Sequence, residues 1–364
     1  MVLVSGENVV EPSLLTAART TKTSLWNDSA DPVELAQSIA FGAVGATCNP
    51  VIALTAIKGN LAQWQPRLAE IARTHSTATE SQIGWLAVEQ LSIEAAQLLE
   101  PIFHRTGGRD GRLSIQTDPR LIRSAEAIVE QAIYFSQLAP NIIVKIPATK
   151  IGISAIEEAT FRGVSINVTV SFTVSQALTA ADAIERGLKR RAAAGLAEKE
   201  FGSVVTIMGG RLDDWLKHRT AKDRVLIDPG YLEWAGVATL KRAHHLFVER
   251  GYRSRILSAA FRNFMQWSEL VGGDLVVSPP FDWQLRINEN AIPAENRIDI
   301  PVDPKIIEVL RERLPDFRRA YDVGGLDIDE FDSFGPTRRT LRQFLEACAE
   351  LDALVRNILV PEAS

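Results

Sequence analysis

The chain has 364 residues, 46% of them hydrophobic, and a formal net charge of -5, so it can form two ordinary domains or one large barrel of roughly 250 residues with additions. The negative balance argues against a protein that works by neutralising phosphate backbones, and nucleic acid is not an expected partner. Cys48 and Cys348 stand far apart without a CxxC partner, which supports neither a disulfide framework nor a cysteine-rich zinc site and fits a reducing compartment.

Residues 1–13 carry Glu7 and Glu11 and show no basic-then-apolar leader. No window approaches about 18 uninterrupted apolar residues, so the expectation is a soluble, cytoplasmic protein with no membrane partner. In chain order, the first β-branched run is 23–27, and Asp31-Pro32-Val33-Glu34 then supplies a cap, a first-turn proline and a glutamate for the reciprocal cap. Leu35, Ile39 and Ala43 form one face of that helix. A strand at 44–48 precedes a long connection, 50–111, with helical patterns around 64–72 and 82–99 and a closing Gly107-Gly108-Arg109-Asp110-Gly111 turn.

Further strands are expected at 112–117, 141–146, 164–172, 203–208, 255–259 and 274–278. Helices at 153–162 and 232–250 stop at Gly163 and Gly251, residues tolerant of left-handed geometry. Residues 301–336 read as charged and loop-like, with one helix near 305–313. Leu341, Phe344, Leu345, Cys348, Leu351, Val355 and Ile358 then make an amphipathic C-terminal helix that should pack back on the core, with Cys348 on its apolar side. Strands alternating with helices imply right-handed crossovers and a parallel sheet, and eight such units close a barrel. The expected fold is one (β/α)8 TIM barrel domain over 1–364, its core at about 20–290, with a helical insertion after strand two and a C-terminal extension at about 300–360.

The run Asn141-Ile142-Ile143-Val144-Lys145-Ile146-Pro147-Ala148-Thr149 sets one lysine in an apolar strand. Desolvation there lowers an amine's pKa and leaves neutral nitrogen able to attack a carbonyl; the alternative is a packed stem with its head in water. Residues of equal parity share a face of a strand, so Lys145 opposes Val144 and Ile146, Asn167 goes with Thr169, and Ser114, Gln116 and Asp118 oppose Leu113 and Ile115. Asp28 and Asn49 end strands one and two, where barrel sites assemble, although both residue types also open turns and cap helices. Arg211 and Arg262 follow strands six and seven and suit a phosphate or another oxyanion. Their alternatives are an ion pair of Arg211 with Asp213 or Asp214, and plain exposure of Arg262.

Trp26-Asn27-Asp28-Ser29, Gly45-Ala46-Thr47-Cys48-Asn49-Pro50, Val144-Lys145-Ile146-Pro147-Ala148-Thr149, Ile166-Asn167-Val168-Thr169 and Phe261-Arg262-Asn263 together resemble the transaldolases, over about 24–273 and the C-terminal helix. That resemblance implies a metal-free, cofactor-free class I mechanism. A dihydroxyacetone unit moves from a ketose phosphate (sedoheptulose 7-phosphate or fructose 6-phosphate) to an aldose phosphate, as in the pentose phosphate pathway. It further implies that Lys145 is the Schiff-base nucleophile and Asp28 the acid/base. Asn49 and Asn167 hold substrate hydroxyls, Thr169 positions the catalytic water, and Arg211 and Arg262 bind phosphate.

The sequence departs from the family pattern at four places. Gln116 stands where a glutamate usually shares the water, and an amide can orient water but not exchange a proton with it. Glutamine there resembles the fructose-6-phosphate aldolases, which release free dihydroxyacetone. Thr206, at a substrate-binding position, replaces a usual serine, Met208 a common aromatic, and Ala260 a phosphate-contacting serine. Transfer is thus the first expectation, a lyase of the same family the second, and a sugar-phosphate-binding barrel without catalysis the third. Sugar phosphates are the expected partners, and the residues do not decide between a monomer and a homodimer. No GxGxxG follows a strand, His75, His104, His218, His244 and His245 lack ligand spacing, and GxSxG and Walker sequences are absent.

Overall fold

The computed structural model describes residues 11–196 and 202–361. Most of the N-terminal stretch read as leader-free, Glu7 included, lies outside the described residues. The eight strands are β1 (Ser24–Asn27), β2 (Ala43–Cys48), β3 (Arg112–Gln116), β4 (Ile142–Pro147), β5 (Ile166–Thr169), β6 (Val204–Ile207), β7 (Arg255–Ala259) and β8 (Val276–Ser278). They close in sequence order into a barrel in which every pairing, including β8 with β1, is parallel.

The punctuation works as expected at several ends. Asp31 accepts from the backbone N–H groups of Val33 and Glu34 to start the helix Pro32–Ala40, and Gly163 and Gly251 take φ of 92° and 63° beyond their helices. Other boundaries differ. Ala43 belongs to β2, because the chain turns through Phe41 and Gly42 after Ala40. The 232–250 helix is two pieces, Pro229–Leu232 and Ala235–Arg250, since Asp228 caps a short turn of its own. The β2–β3 connection holds three helices, Pro50–Gly59, Leu61–Thr74 and Glu80–Arg105. The stretch read as loop-like contains Pro304–Arg313, Pro315–Tyr321 and a 3-10 turn, Ile328–Ser333.

Two apolar clusters divide the core. The larger lies between strands and helices, and the smaller fills the barrel axis with Trp26, Ile143, Val204, Leu257, Ala259 and Val276. Trp26, Ile143 and Val204 each sit two residues before a polar residue of the same parity, namely Asp28, Lys145 and Thr206. The pleat therefore stacks an apolar floor beneath a polar layer at the carboxyl ends. The Trp26 indole needs Gly45 opposite it, where a Cβ would lie 2.4 Å from the ring. Gly45→Ala is expected to lose about 1 to 3 kcal/mol by overpacking, read as a lower urea midpoint with an unchanged slope.

The C-terminal helix, Gly335–Leu359, packs on the helices of the β2–β3 connection. Leu351 meets Gly84, and the Lys58–Glu350 (2.8 Å) and Arg356–Glu80 (2.6 Å) pairs flank that contact. Before it, the 297–300 segment is tied to the barrel by buried Lys241, which donates to Glu269 (2.8 Å) and to the carbonyls of Arg297 and Ile300 (2.8 and 2.7 Å).

Candidate active site

Lys145 points to the barrel axis from β4, with 6% of its surface exposed, in register between Gln116 of β3 and Asn167 of β5. Burial is the main influence on its amine and pushes the pKa below the ordinary lysine value; Arg211 adds to this, while Asp28 and Cys48 oppose it. Asp28 accepts a 2.7 Å hydrogen bond from the Thr47 hydroxyl. Thr47 was not foreseen, although it shares parity with Gly45 and Asn49. The Cys48 thiol, in contrast, turns to the helix layer, and burial pushes its pKa up to about 11, which leaves it inert.

Lys145 and Asp28 line one cavity of about 170 Å³ with Thr47, Asn49, Thr169, Thr206, Met208, Ala260, Arg211 and Arg262. Of the residues singled out from sequence, Gln116 and Asn167 do not line it. Asn167 is wholly buried beneath, its Nδ2 donating to Ser114 Oγ (2.9 Å) and its Oδ1 accepting from Thr206 Oγ1 (2.8 Å). Its amide is thus engaged by protein, and it takes up the hydroxyl hydrogen of Thr206, which lines the cavity. Gln116 is 1% exposed, and neither its amide nor the Thr169 hydroxyl has a partner among the described residues. Such groups cost about 1 to 3 kcal/mol each when left unsatisfied, and a water or a ligand hydroxyl can satisfy them.

Asn49 plays the capping role weighed for it, since Oδ1 accepts from Val51 and Ile52 N–H (2.9 and 3.0 Å), and its Nδ2 is the end left to meet a ligand. Asp118 does not join the inward set: it caps the 3-10 turn Pro119–Leu121 and pairs with Arg120 at 2.7 Å. Both rim arginines have supports. Arg211 donates to Gln343 and to Thr340 (3.4 Å) on the C-terminal helix, and burial with the nearby Arg262 charge lowers its pKa. Arg262 grips Asp214 at 2.7 to 3.1 Å, so Asp214 partners Arg262 and not Arg211. Asp213 turns away to the Gly236 N–H.

The same two arginines also line an outer cleft of about 540 Å³ with Lys58, Arg339 and Gln343, and so stand between that cleft and the lysine. This contribution of the C-terminal helix was not visible in sequence. A larger cavity, about 710 Å³, opens near Ser254 and Arg255 at the opposite end of β7. It holds no amine and carboxylate facing each other at strand ends, so volume does not identify the site. Among the described residues, no three His, Cys, Asp or Glu side chains cluster as metal ligands, and no helix is long and apolar enough to cross a membrane.

The arrangement offers an enclosed amine, a carboxylate within its electrostatic reach, several hydroxyl and amide groups, and two guanidiniums at the mouth. A family profile described as Transaldolase/Fructose-6-phosphate aldolase matches residues 25–322. The chain is 31% identical over 333 residues to Transaldolase of Thiobacillus denitrificans, covering 86% of this chain and 88% of that protein. It is 38% identical over 181 residues to Transaldolase 1 of Streptomyces avermitilis, covering 49% and 47%. With Transaldolase of Acidothermus cellulolyticus the identity is 32% over 212 residues, covering 57% and 55%. The match spans about half the length of the Streptomyces and Acidothermus proteins and most of the Thiobacillus one. On the extent of these matches, the chain belongs to the transaldolase/fructose-6-phosphate aldolase family.

Proposed function

We propose that this protein is a Schiff-base transaldolase acting on sugar phosphates. The observation that carries the reading is the enclosed Lys145, its amine driven toward neutrality by burial and sharing one cavity with Asp28. Lys145 Nζ attacks the ketose C2 carbonyl, whose oxygen leaves as water, giving a protonated imine. Asp28, fixed by Thr47, takes the C4 hydroxyl proton. The C3–C4 bond then breaks, its electron pair moves toward the iminium nitrogen, and the aldose departs. The bound enamine next attacks an incoming aldehyde, Asp28 returns the proton to the new hydroxyl, and water releases the lysine.

In this reading Asn49 Nδ2 and the Thr206 hydroxyl hold triose hydroxyls, with Asn167 fixing Thr206. Gln116 and Thr169 hold the water, and Arg211 and Arg262 receive phosphate. The iminium is the electron sink, so the chemistry calls for no cofactor. A cytoplasmic setting and a single barrel unit accompany the proposal.

One observation favours a second reading, the lyase. The residue paired with Lys145 on β3 is Gln116, whose amide can orient a water but cannot act as its acid or base. Incubation with fructose 6-phosphate alone and then with erythrose 4-phosphate separates the two. Transfer predicts a seven-carbon product only when acceptor is present; free dihydroxyacetone without acceptor would overturn it. Gln116→Glu is expected to lower the ratio of dihydroxyacetone release to transfer, measured in the same assay.

A further inference from the structure

The rim after β7 is fastened to the helix after β6, Gly209–Asp223, through Gly210, Asp213 and Gln266, none of which lines the cavity. Gly210 lies so close to this rim that a Cβ would sit 1.8 Å from the Ala260 carbonyl oxygen. Asp213, wholly buried two residues after Arg211, accepts from Gly236 N–H through Oδ1 and from Gln266 Nε2 through Oδ2, both at 2.7 Å. Gln266, also wholly buried, accepts through Oε1 from the backbone N–H groups of Arg262 and Asn263. Asn263 is anchored in turn by Glu233 at 2.7 Å.

The polarity of this chain is set from one end. Two backbone N–H groups need an acceptor at Gln266, so its amide must present Oε1 to them and Nε2 to position 213. A carboxylate there meets that demand; an amide at 213 could turn N–H against N–H. The rim also needs outside support, because Ala260 holds φ of 63°, a left-handed conformation that non-glycine residues rarely adopt. Asp214 grips the guanidinium of Arg262 but leaves its backbone to Gln266.

We infer that Asp213 and Gln266 are positioning residues that fix the spacing of the Arg211 and Arg262 guanidiniums and thereby set a preference for phosphorylated over neutral sugars. The inference rests on the sugar-phosphate reading above. Gln266→Met keeps the volume and removes the hydrogen bonds; Asp213→Asn keeps an acceptor for Gly236 and disturbs the polarity. For each, KM for fructose 6-phosphate is expected to rise about tenfold, the scale of one buried hydrogen bond. kcat/KM for unphosphorylated fructose should change less than about twofold, and the double variant should be no worse than the poorer single one.

A parallel loss on both sugars, or an unchanged KM for the phosphate ester, would overturn the inference. Calorimetric titration of the full chain with inorganic phosphate reads the arginine pair without any turnover, so it separates this inference from the reaction itself. About tenfold weaker binding in Gln266→Met supports the inference even if no ketose is processed. Equal binding, or none by the wild type, overturns it.

Discussion

Lys145→Met is expected to give a protein that folds more stably than the wild type and has lost the reaction. No borohydride-trapped ketose adduct should form, and turnover should fall on the order of 10⁵ to 10⁶, the scale of removing a covalent nucleophile. Stability should rise because the wild type keeps an amine in an enclosed site that disfavours its charge, and an apolar chain of similar length removes that cost. A gain of about 1 to 3 kcal/mol follows from the scale of burying polar groups. The sign of its pH dependence is fixed by the direction of the shift. A folded-state pKa below the unfolded value means that the unfolded chain binds more protons in the interval between them, so wild-type stability climbs with pH across that interval. The penalty is complete below the folded-state pKa and fades toward the free-lysine value of about 10.4. Urea unfolding of both proteins at a series of pH values should therefore show the gap narrowing as pH rises. A gap independent of pH would mean that Lys145 is not the group responsible.

Asp28→Asn should separate the covalent step from carbon–carbon cleavage. The asparagine oxygen can still accept the Thr47 hydroxyl bond now made to Asp28, so the residue should stay in place while losing its capacity as a base. Borohydride should still trap an adduct on Lys145. Turnover should fall by about 10² to 10⁴, the usual contribution of a positioned acid/base. Because the Asp28 charge raises the Lys145 pKa, removing it lowers that pKa further, and the acid limb of adduct formation should move to lower pH. Rapid trapping at several pH values set beside steady-state turnover tests both statements. Disappearance of the adduct along with turnover would assign Asp28 to holding the lysine and not to cleavage.

Much of this architecture could be read from the chain because each β-branched run is short, ends at a turn and alternates inward and outward residues. That alternation put Lys145, Asn167 and Thr169 on the inward side of their strands without any knowledge of neighbouring strands, whereas Thr206 was singled out only by the family resemblance. The run 164–172 was read too long, since Val170 leaves the strand at φ 51°, a conformation against the preference of a β-branched residue and dictated by its surroundings. Partnerships across the sequence were the other hidden layer. Whether Asn167 meets a ligand or Ser114 and Thr206 depends on three strands at once, and Arg211 leans on Gln343, 132 positions away. Local patterns locate such side chains but do not reveal what their far ends touch.

The reliance of Arg211 on Gln343 and Thr340 carries a consequence for biosynthesis. All eight strands precede the helix Gly335–Leu359 in the chain, so the ribosome makes the residues of the cylinder, the amine and the carboxylate included, before it makes the prop of one rim guanidinium. The mouth of the cavity thus depends on a segment synthesised later than every strand that forms its floor.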